Sequence, residues 1–546
     1  MGKSKLFLGL TFGLFGFLFL HLSLNMLQIR PDGWYVGQVN LYGDLVYHLS
    51  LINKFMYSNT ISIDNPIFAG TKVDYPIFAD ALTAYIAIFT NIQTALVITT
   101  FLAGILSIYT ARLFIRRFIK NEKVIFLSLL LFFVNGGFGF YYFFKDLATS
   151  QKPFFDFLLS MPNQYTDIKD RGYWWINNYL AYFLPQRTFL FAFPITLAIL
   201  ILLYIATRKE TKKYFVLAGL LAGLLPLVQV QSLFLLFLLC LFYVPFNVFS
   251  SKNKKQTILN WLIFAFLTGF IGFAMFSSIS SGQNALKSIR FEPGWTSKEN
   301  ILWFWLKNLG VFGPTLIIAL IWLFKKNRHL FKLYLPFLMV FFLCNILVFQ
   351  PWSFDNSKFL VYWYFVSSIV VAAFLYDQFF GEKIWRKAIG IILVFLMIFA
   401  GSLDLIRTFT PVTSYQIYSN QDLQAAQIVK NLTPQNAIFV TASNHNNPIP
   451  TLTGRSTLLG FPGWLWTHGI SYQERTQDVT KIYLGGNQAD KLITKYKVNY
   501  VSIGPAEKAE FNPNEIYFQK FPSLALGYNW HLYDVSNIWT NSKRKN

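Results

Sequence analysis

Asp44 lies in the stretch Tyr42-Gly43-Asp44-Leu45-Val46-Tyr47-His48, just past the first strongly apolar segment of the chain. A carboxylate in so apolar a setting binds something, moves a proton or takes part in a reaction. His48 follows four residues on, and on a helix the two would project from one face. Asp44 could serve as a general base, a metal ligand or a helix cap behind Gly43. His48 taken alone is more often an interface histidine than a ligand.

Other polar groups recur at the edges of apolar runs. Asp74-Tyr75-Pro76 precedes one of them, either as part of a site or as a turn capping the next helix. Asp146, Asp156, Asp167 and Asp170 lead into Gly172-Tyr173-Trp174-Trp175, whose aromatics could form an interfacial belt. In Leu184-Pro185-Gln186-Arg187-Thr188, Arg187 opens an apolar run. A guanidinium there suits a phosphate bidentately, or it could snorkel to lipid headgroups. Gln229 and Gln231 sit between two apolar runs and could bind substrate hydroxyls or tie two helices together. Asp355 and Lys358 could pair with each other or hold a charged lipid head. Trp464 and His468 belong to the glycine- and aromatic-rich stretch Gly460-Phe461-Pro462-Gly463-Trp464-Leu465-Trp466-Thr467-His468-Gly469. That stretch could stack on a sugar; if it is extended, Trp464 and Trp466 face opposite sides. The chain contains no Walker loop, dinucleotide fingerprint or zinc spacing.

The elements that must hold these residues are mostly apolar. Of 546 residues, 54% are hydrophobic, 19% aromatic and 13% charged, and the mean hydropathy is +0.42. Soluble domains carry about 25% charged residues, so this is an integral membrane protein. Cys240 and Cys344 both lie in apolar runs and read as small core residues. The net charge of +22 is not gathered on one face, as nucleic-acid binding would require. It falls in short clusters between apolar runs.

A spanning helix needs roughly 20 apolar residues. Eleven runs qualify: 6–27, 79–107, 124–144, 186–207, 213–229, 232–250, 258–278, 303–324, 331–350, 358–379 and 386–406. The first reads as an anchor, since it lacks a small-residue cleavage site. Lys3 and Lys5 precede it, and every second loop thereafter is basic, as at Arg112–Lys123, Arg208–Lys213 and Lys325–Arg328. By the positive-inside rule those loops and the N-terminus are cytoplasmic. The segments 28–78, 145–185, 279–302, 351–357 and everything after about 407 are then extracytoplasmic. This divides the chain into a transmembrane domain, 1–407, and an extracytoplasmic domain, 408–546. In the latter, helical patterns at 422–432 and 487–496 alternate with strand patterns at 436–441, 498–503 and 530–535, which suggests a small α/β fold.

Together these features resemble the GT-C superfamily of membrane glycosyltransferases. The resemblance rests on the Gly43-Asp44 carboxylate in a long first outer loop, Tyr75-Pro76 before the second span, about eleven spans and an α/β tail. It extends to Pro185-Gln186-Arg187, Asp355-Asn356-Ser357-Lys358 and Gly463-Trp464-Leu465-Trp466-Thr467-His468-Gly469. The resemblance implies a polytopic enzyme of the cell membrane with Asp44 as catalytic base. It would move a sugar from a polyprenyl-phosphate donor to an extracytoplasmic glycan, lipid or protein, with inversion. His48, Asp74, Tyr75, Gln186, Arg187, Gln229, Gln231, Asp355, Lys358, Trp464 and His468 would bind substrate. Many members carry a second acidic site beside a divalent cation such as Mg or Mn. Asp74 and Asp146 are the residues for it here, although neither sits in an Asp-Asp or Glu-Asp doublet. The alternative is a non-enzymatic membrane protein: a lipid-glycan transporter, an envelope assembly scaffold or a catalytically dead glycan binder. A transporter would place ionisable residues near mid-span, whereas the acids here cluster in the outer loops.

Overall fold

A computed structural model describes residues 2–57, 64–280, 289–527 and 529–540; parts of the expected outer loops 28–78 and 279–302 lie outside these. Helices dominate, because apolar segments in a bilayer must satisfy their backbone hydrogen bonds internally. Among the described residues, seven helices are long and apolar enough to cross a membrane: Ser4–Leu24, Ile92–Arg116, Arg187–Lys209, Val230–Ser250, Lys254–Ile279, Ser353–Phe379 and Ile384–Arg407. The pair Ile301–Leu309 and Phe312–Lys326 makes an eighth if it is one span, but it bends by 94°. This is a multi-pass membrane protein.

The count falls short of eleven where local chemistry interrupts an apolar run. The run 79–107 divides at Thr90-Asn91 into helices Phe78–Phe89 and Ile92–Arg116. The run 124–144 divides at Asn135-Gly136-Gly137 into Glu122–Phe133 and the start of the short helix Phe140–Thr149. Gly310 takes a left-handed φ of 58° at the sharp bend. Lys212–Val228 and Arg328–Cys344 are 17 residues each, with Pro226 and Pro336 inside them. That length is at the lower edge of what spans a bilayer.

The chain forms two compact units: Met1–Leu24, Thr100–Phe276 and Ile289–Thr413 in one, and Asn25–Thr99, Ser277–Ser288 and Ser414–Asn546 in the other. The first holds most of the long helices. Within it, the segment 145–185 is pinned by Asp404, a buried carboxylate on the last long helix. Asp404 accepts the N–H groups of Tyr165 (2.5 Å) and Thr166 (2.9 Å) and the Thr166 hydroxyl (2.5 Å). Asn135 ties the same segment to the helix Glu122–Phe133 by accepting the Asn178 N–H (2.8 Å). Close by, a Cβ on Gly401 would lie 2.2 Å from the Asn135 carbonyl oxygen. Glycine there lets helix and chain approach.

The second unit contains the α/β fold expected of the tail. Its five-stranded sheet runs in the order Ser456–Thr457, Ile438–Val440, Tyr500–Ile503, Trp530–Asp534, Ser523–Gly527. The first three strands are parallel to one another, and Trp530–Asp534 runs antiparallel to both of its neighbours. Ala425, Val429, Phe439, Ile449 and Leu532 pack one face. Helices Asn420–Leu432 and Gly486–Tyr496 fall where the sequence placed them. A second sheet joins the hairpin Gln28–Arg30/Gly33–Val36 to Tyr415–Ser419. The start of the tail therefore pairs with the segment that follows the first long helix.

Candidate active site

Asp44 is the first residue of helix Asp44–Tyr57, where the unpaired N–H groups of the first turn stabilise a carboxylate. It is exposed. One turn further, His48 is buried, and its Nδ1 lies 2.9 and 3.0 Å from the two carboxylate oxygens of Asp80. With Nδ1–H donating to Asp80, the Nε2 atom is left as an acceptor. Asp80 is fully buried on helix Phe78–Phe89. It was not singled out in the sequence, yet an aspartate inside the apolar run Phe78–Phe89 was the available signal.

Aromatic rings surround this pair within the same unit. Tyr47 meets Tyr75 at 5.0 Å, Trp464 at 5.3 Å and His468 at 4.9 Å between centroids. Tyr75 also meets His468 at 4.9 Å and His48 at 5.9 Å. The Tyr47 hydroxyl is buried with no hydrogen-bond partner among the described residues. Burial, helped by Tyr75, Asp80 and Asp74, pushes its ionisation well above the ordinary phenol range. It therefore remains a donor. An unsatisfied buried hydroxyl costs about 1–3 kcal/mol, and a ligand oxygen would recover that. Trp464 and His468 reach the group on or just past a short helix, Pro462–Thr467, and not on an extended strand. Two residues on a helix are separated by roughly 200°, so Trp464 is still buried while Trp466 is 48% exposed.

Asp74 holds a left-handed φ of 50°. Its N–H donates to the Ile279 carbonyl (2.9 Å) and its Oδ1 accepts from the Ser280 hydroxyl (2.7 Å). It does not cap the following helix, whose N-cap is Ile77 without a side-chain bond.

The remaining expected site residues belong to the other unit. Arg187 begins helix Arg187–Lys209 fully buried, with Nη1 donating to the Thr100 hydroxyl at 3.1 Å; it does not snorkel. The neighbouring Gln186 Oε1 is buried without a partner among the described residues. Gln229 forms the extended joint between Lys212–Val228 and Val230–Ser250. Its Oε1 accepts from Ser232 (2.6 Å), which also contacts the Tyr362 hydroxyl (3.0 Å), while its Nε2 lacks a partner among the described residues. Gln231 Nε2 donates to Gln350 Oε1 at 3.3 Å. Asp355 and Lys358 pair at 3.1 Å. Asp146 accepts from Asn163 (2.8 Å) and from the Tyr165 hydroxyl (3.1 Å). Among the described residues, no three His, Cys, Asp or Glu side chains are grouped to hold an ion, so Asp74 and Asp146 supply no fitting donor set for a divalent cation.

No protein-family model matches the chain, and no curated protein matches it in sequence. Solved structures do match. The oligosaccharyltransferase of Archaeoglobus fulgidus, tethered to an acceptor peptide containing the NVT sequon, aligns with a TM-score of 0.53 at 13% identity, covering 92% of this chain and 70% of its own. ArnT from Cupriavidus metallidurans in the apo state aligns with a TM-score of 0.51 at 10% identity, covering 98% of each chain. Both are GT-C glycosyltransferases. This chain has a GT-C fold.

The GT-C fold brings Asp44, His48, Asp74, Tyr75, Trp464 and His468 into one compact unit, and adds Tyr47 and Asp80 to them. It leaves Gln186, Arg187, Gln229, Gln231, Asp355, Lys358 and Asp146 in the other. Chemically, the first group offers an exposed carboxylate, an oriented imidazole acceptor, a buried phenol donor and ring faces that suit a sugar.

Proposed function

We propose that the protein is a membrane glycosyltransferase that moves a sugar from a polyprenyl-phosphate donor to an extracytoplasmic acceptor with inversion. The observation that carries this reading is an exposed Asp44 one turn ahead of the buried His48–Asp80 pair, in a unit ringed by Tyr47, Tyr75, Trp464 and His468. The GT-C fold supports it at the level of reaction class. Asp44 accepts the proton of an acceptor hydroxyl as that oxygen attacks the anomeric carbon. The bond from anomeric carbon to phosphate oxygen breaks, and the polyprenyl phosphate leaves with the electron pair. His48, held in one orientation by Asp80, accepts a hydrogen bond from a substrate hydroxyl, and Tyr47 donates one.

One positioned base contributes about 10²–10⁴ in rate. Asp44→Asn keeps the shape and removes the base, so transfer from labelled polyprenyl-phosphate sugars, assayed in membranes, falls by that factor at unchanged expression. A variant that transfers sugar at near wild-type rate takes the role away from Asp44.

A further inference from the structure

The first unit contains a cavity of about 640 Å³ among its long helices, within the roughly 300–1,000 Å³ range of ligand sites. Its body is apolar, with Leu200, Phe337 and Val370 on its walls. Its mouth lies where the loops after Arg187–Lys209 and Val230–Ser250 and the turn Lys326–Arg328 converge, in the basic class of loops. Tyr204, Trp261 and Trp322 line the cavity near that mouth, and aromatic side chains of this kind favour the level of lipid headgroups.

The mouth is cationic. Arg208 and Lys326 line it beside a neutral His329, with Glu210 the acidic residue among the lining side chains, and Lys209, Lys325 and Arg328 add positive charge from the same loops. Glu210 accepts from the Ser251 hydroxyl at 3.3 Å. Lys326 is paired with Asp377, which also accepts from the Trp322 indole at 3.0 Å. Arg208 instead donates to His329 Nε2 at 3.0 Å and lies 5.6 Å from the Tyr204 ring centre. No carboxylate pairs with Arg208 among the described residues. A guanidinium without a carboxylate partner among the described residues, at the entrance of an apolar cavity between membrane helices, matches one ligand chemistry: a phosphodiester attached to hydrocarbon tails.

We propose that this cavity binds an anionic phospholipid of the bilayer, with the phosphate at Arg208 and a tail in the cavity. The site is separate from the residues assigned to sugar transfer, and it stands or falls without them. A soluble anion would leave the apolar walls unused, whereas a zwitterionic lipid would bring its own cation to a cationic mouth.

The test uses the full-length protein in detergent, mixed with dioleoyl phosphatidylglycerol or dioleoyl phosphatidylcholine at equal concentration and read by native mass spectrometry. The expected result is retention of phosphatidylglycerol about tenfold above phosphatidylcholine, with Arg208→Gln bringing it down roughly tenfold, as loss of one charge-assisted contact predicts. Millimolar inorganic phosphate leaves the lipid bound. Equal retention of the two lipids, an unchanged Arg208→Gln, or displacement by inorganic phosphate would each overturn the proposal.

Discussion

At the scale of single residues, one helical turn separates two environments. Asp44 meets solvent at the head of its helix, whereas His48 is buried against a carboxylate from another helix. Asp80→Ala removes the acceptor from Nδ1–H and leaves a buried donor unpaired, a cost of about 1–3 kcal/mol. Asp80→Asn retains an acceptor oxygen, so thermal unfolding of the purified protein should rank wild type above Asp80→Asn, and Asp80→Ala last. His445 gives a pH dependence. Its ring packs on Tyr42 and Phe461, and burial holds its pKa below 6.5. The unfolded chain therefore binds the proton first, and stability is lost as pH falls below about 6.5. Melting temperatures at pH 7.5 and 5.5 should differ less in His445→Gln than in wild type. Asp44, His48, Tyr75, Trp464 and His468 were legible as candidates because polar or aromatic types stood out beside apolar runs. Asp80 and Tyr47 were not, since one is hidden inside such a run and the other looks like one more aromatic among 29 tyrosines.

At the scale of elements, hydropathy found where apolar runs lie but not where they break. The breaks follow from local geometry: the left-handed Gly310, the Asn135-Gly136-Gly137 turn, and Thr90-Asn91. Composition averaged over about 20 residues erases such signals. The tail was read more closely, because strands with alternating polarity and helices with a 3.6-residue period carry their signature within a few residues. Two residues govern how the last long helix meets its neighbours. Asp404→Ala strips acceptors from three donors of Tyr165 and Thr166, and limited proteolysis should then cut within 145–185 sooner than in wild type. Gly401→Ala drives a methyl group into the Asn135 carbonyl. Overpacking of this kind costs about 1–3 kcal/mol, which a lowered melting temperature would register.

At the scale of the whole molecule, the charge pattern and the α/β tail make an orientation claim that a reporter can check. Alkaline phosphatase, which folds only outside the cytoplasm, should be active when fused after residue 540 and inactive when fused in the 208–213 loop. The membrane class was legible from composition alone. What no local pattern carried was that 25–99 and 414–546 condense into one unit. That pairing depends on contacts such as Arg475 Nη1 to the Ala69 carbonyl, 406 residues apart, and Asn53 Nδ2 to the Thr451 carbonyl, 398 apart. Such separations also impose an order in time. Tyr47 and His48 leave the ribosome early and have already emerged when Trp464 and His468 are still untranslated. At roughly 5–20 residues per second the interval is some tens of seconds. The nascent chain thus carries the proposed catalytic base, with Tyr47 and Tyr75, through that interval without Trp464 and His468, and competence waits for the 414–546 segment.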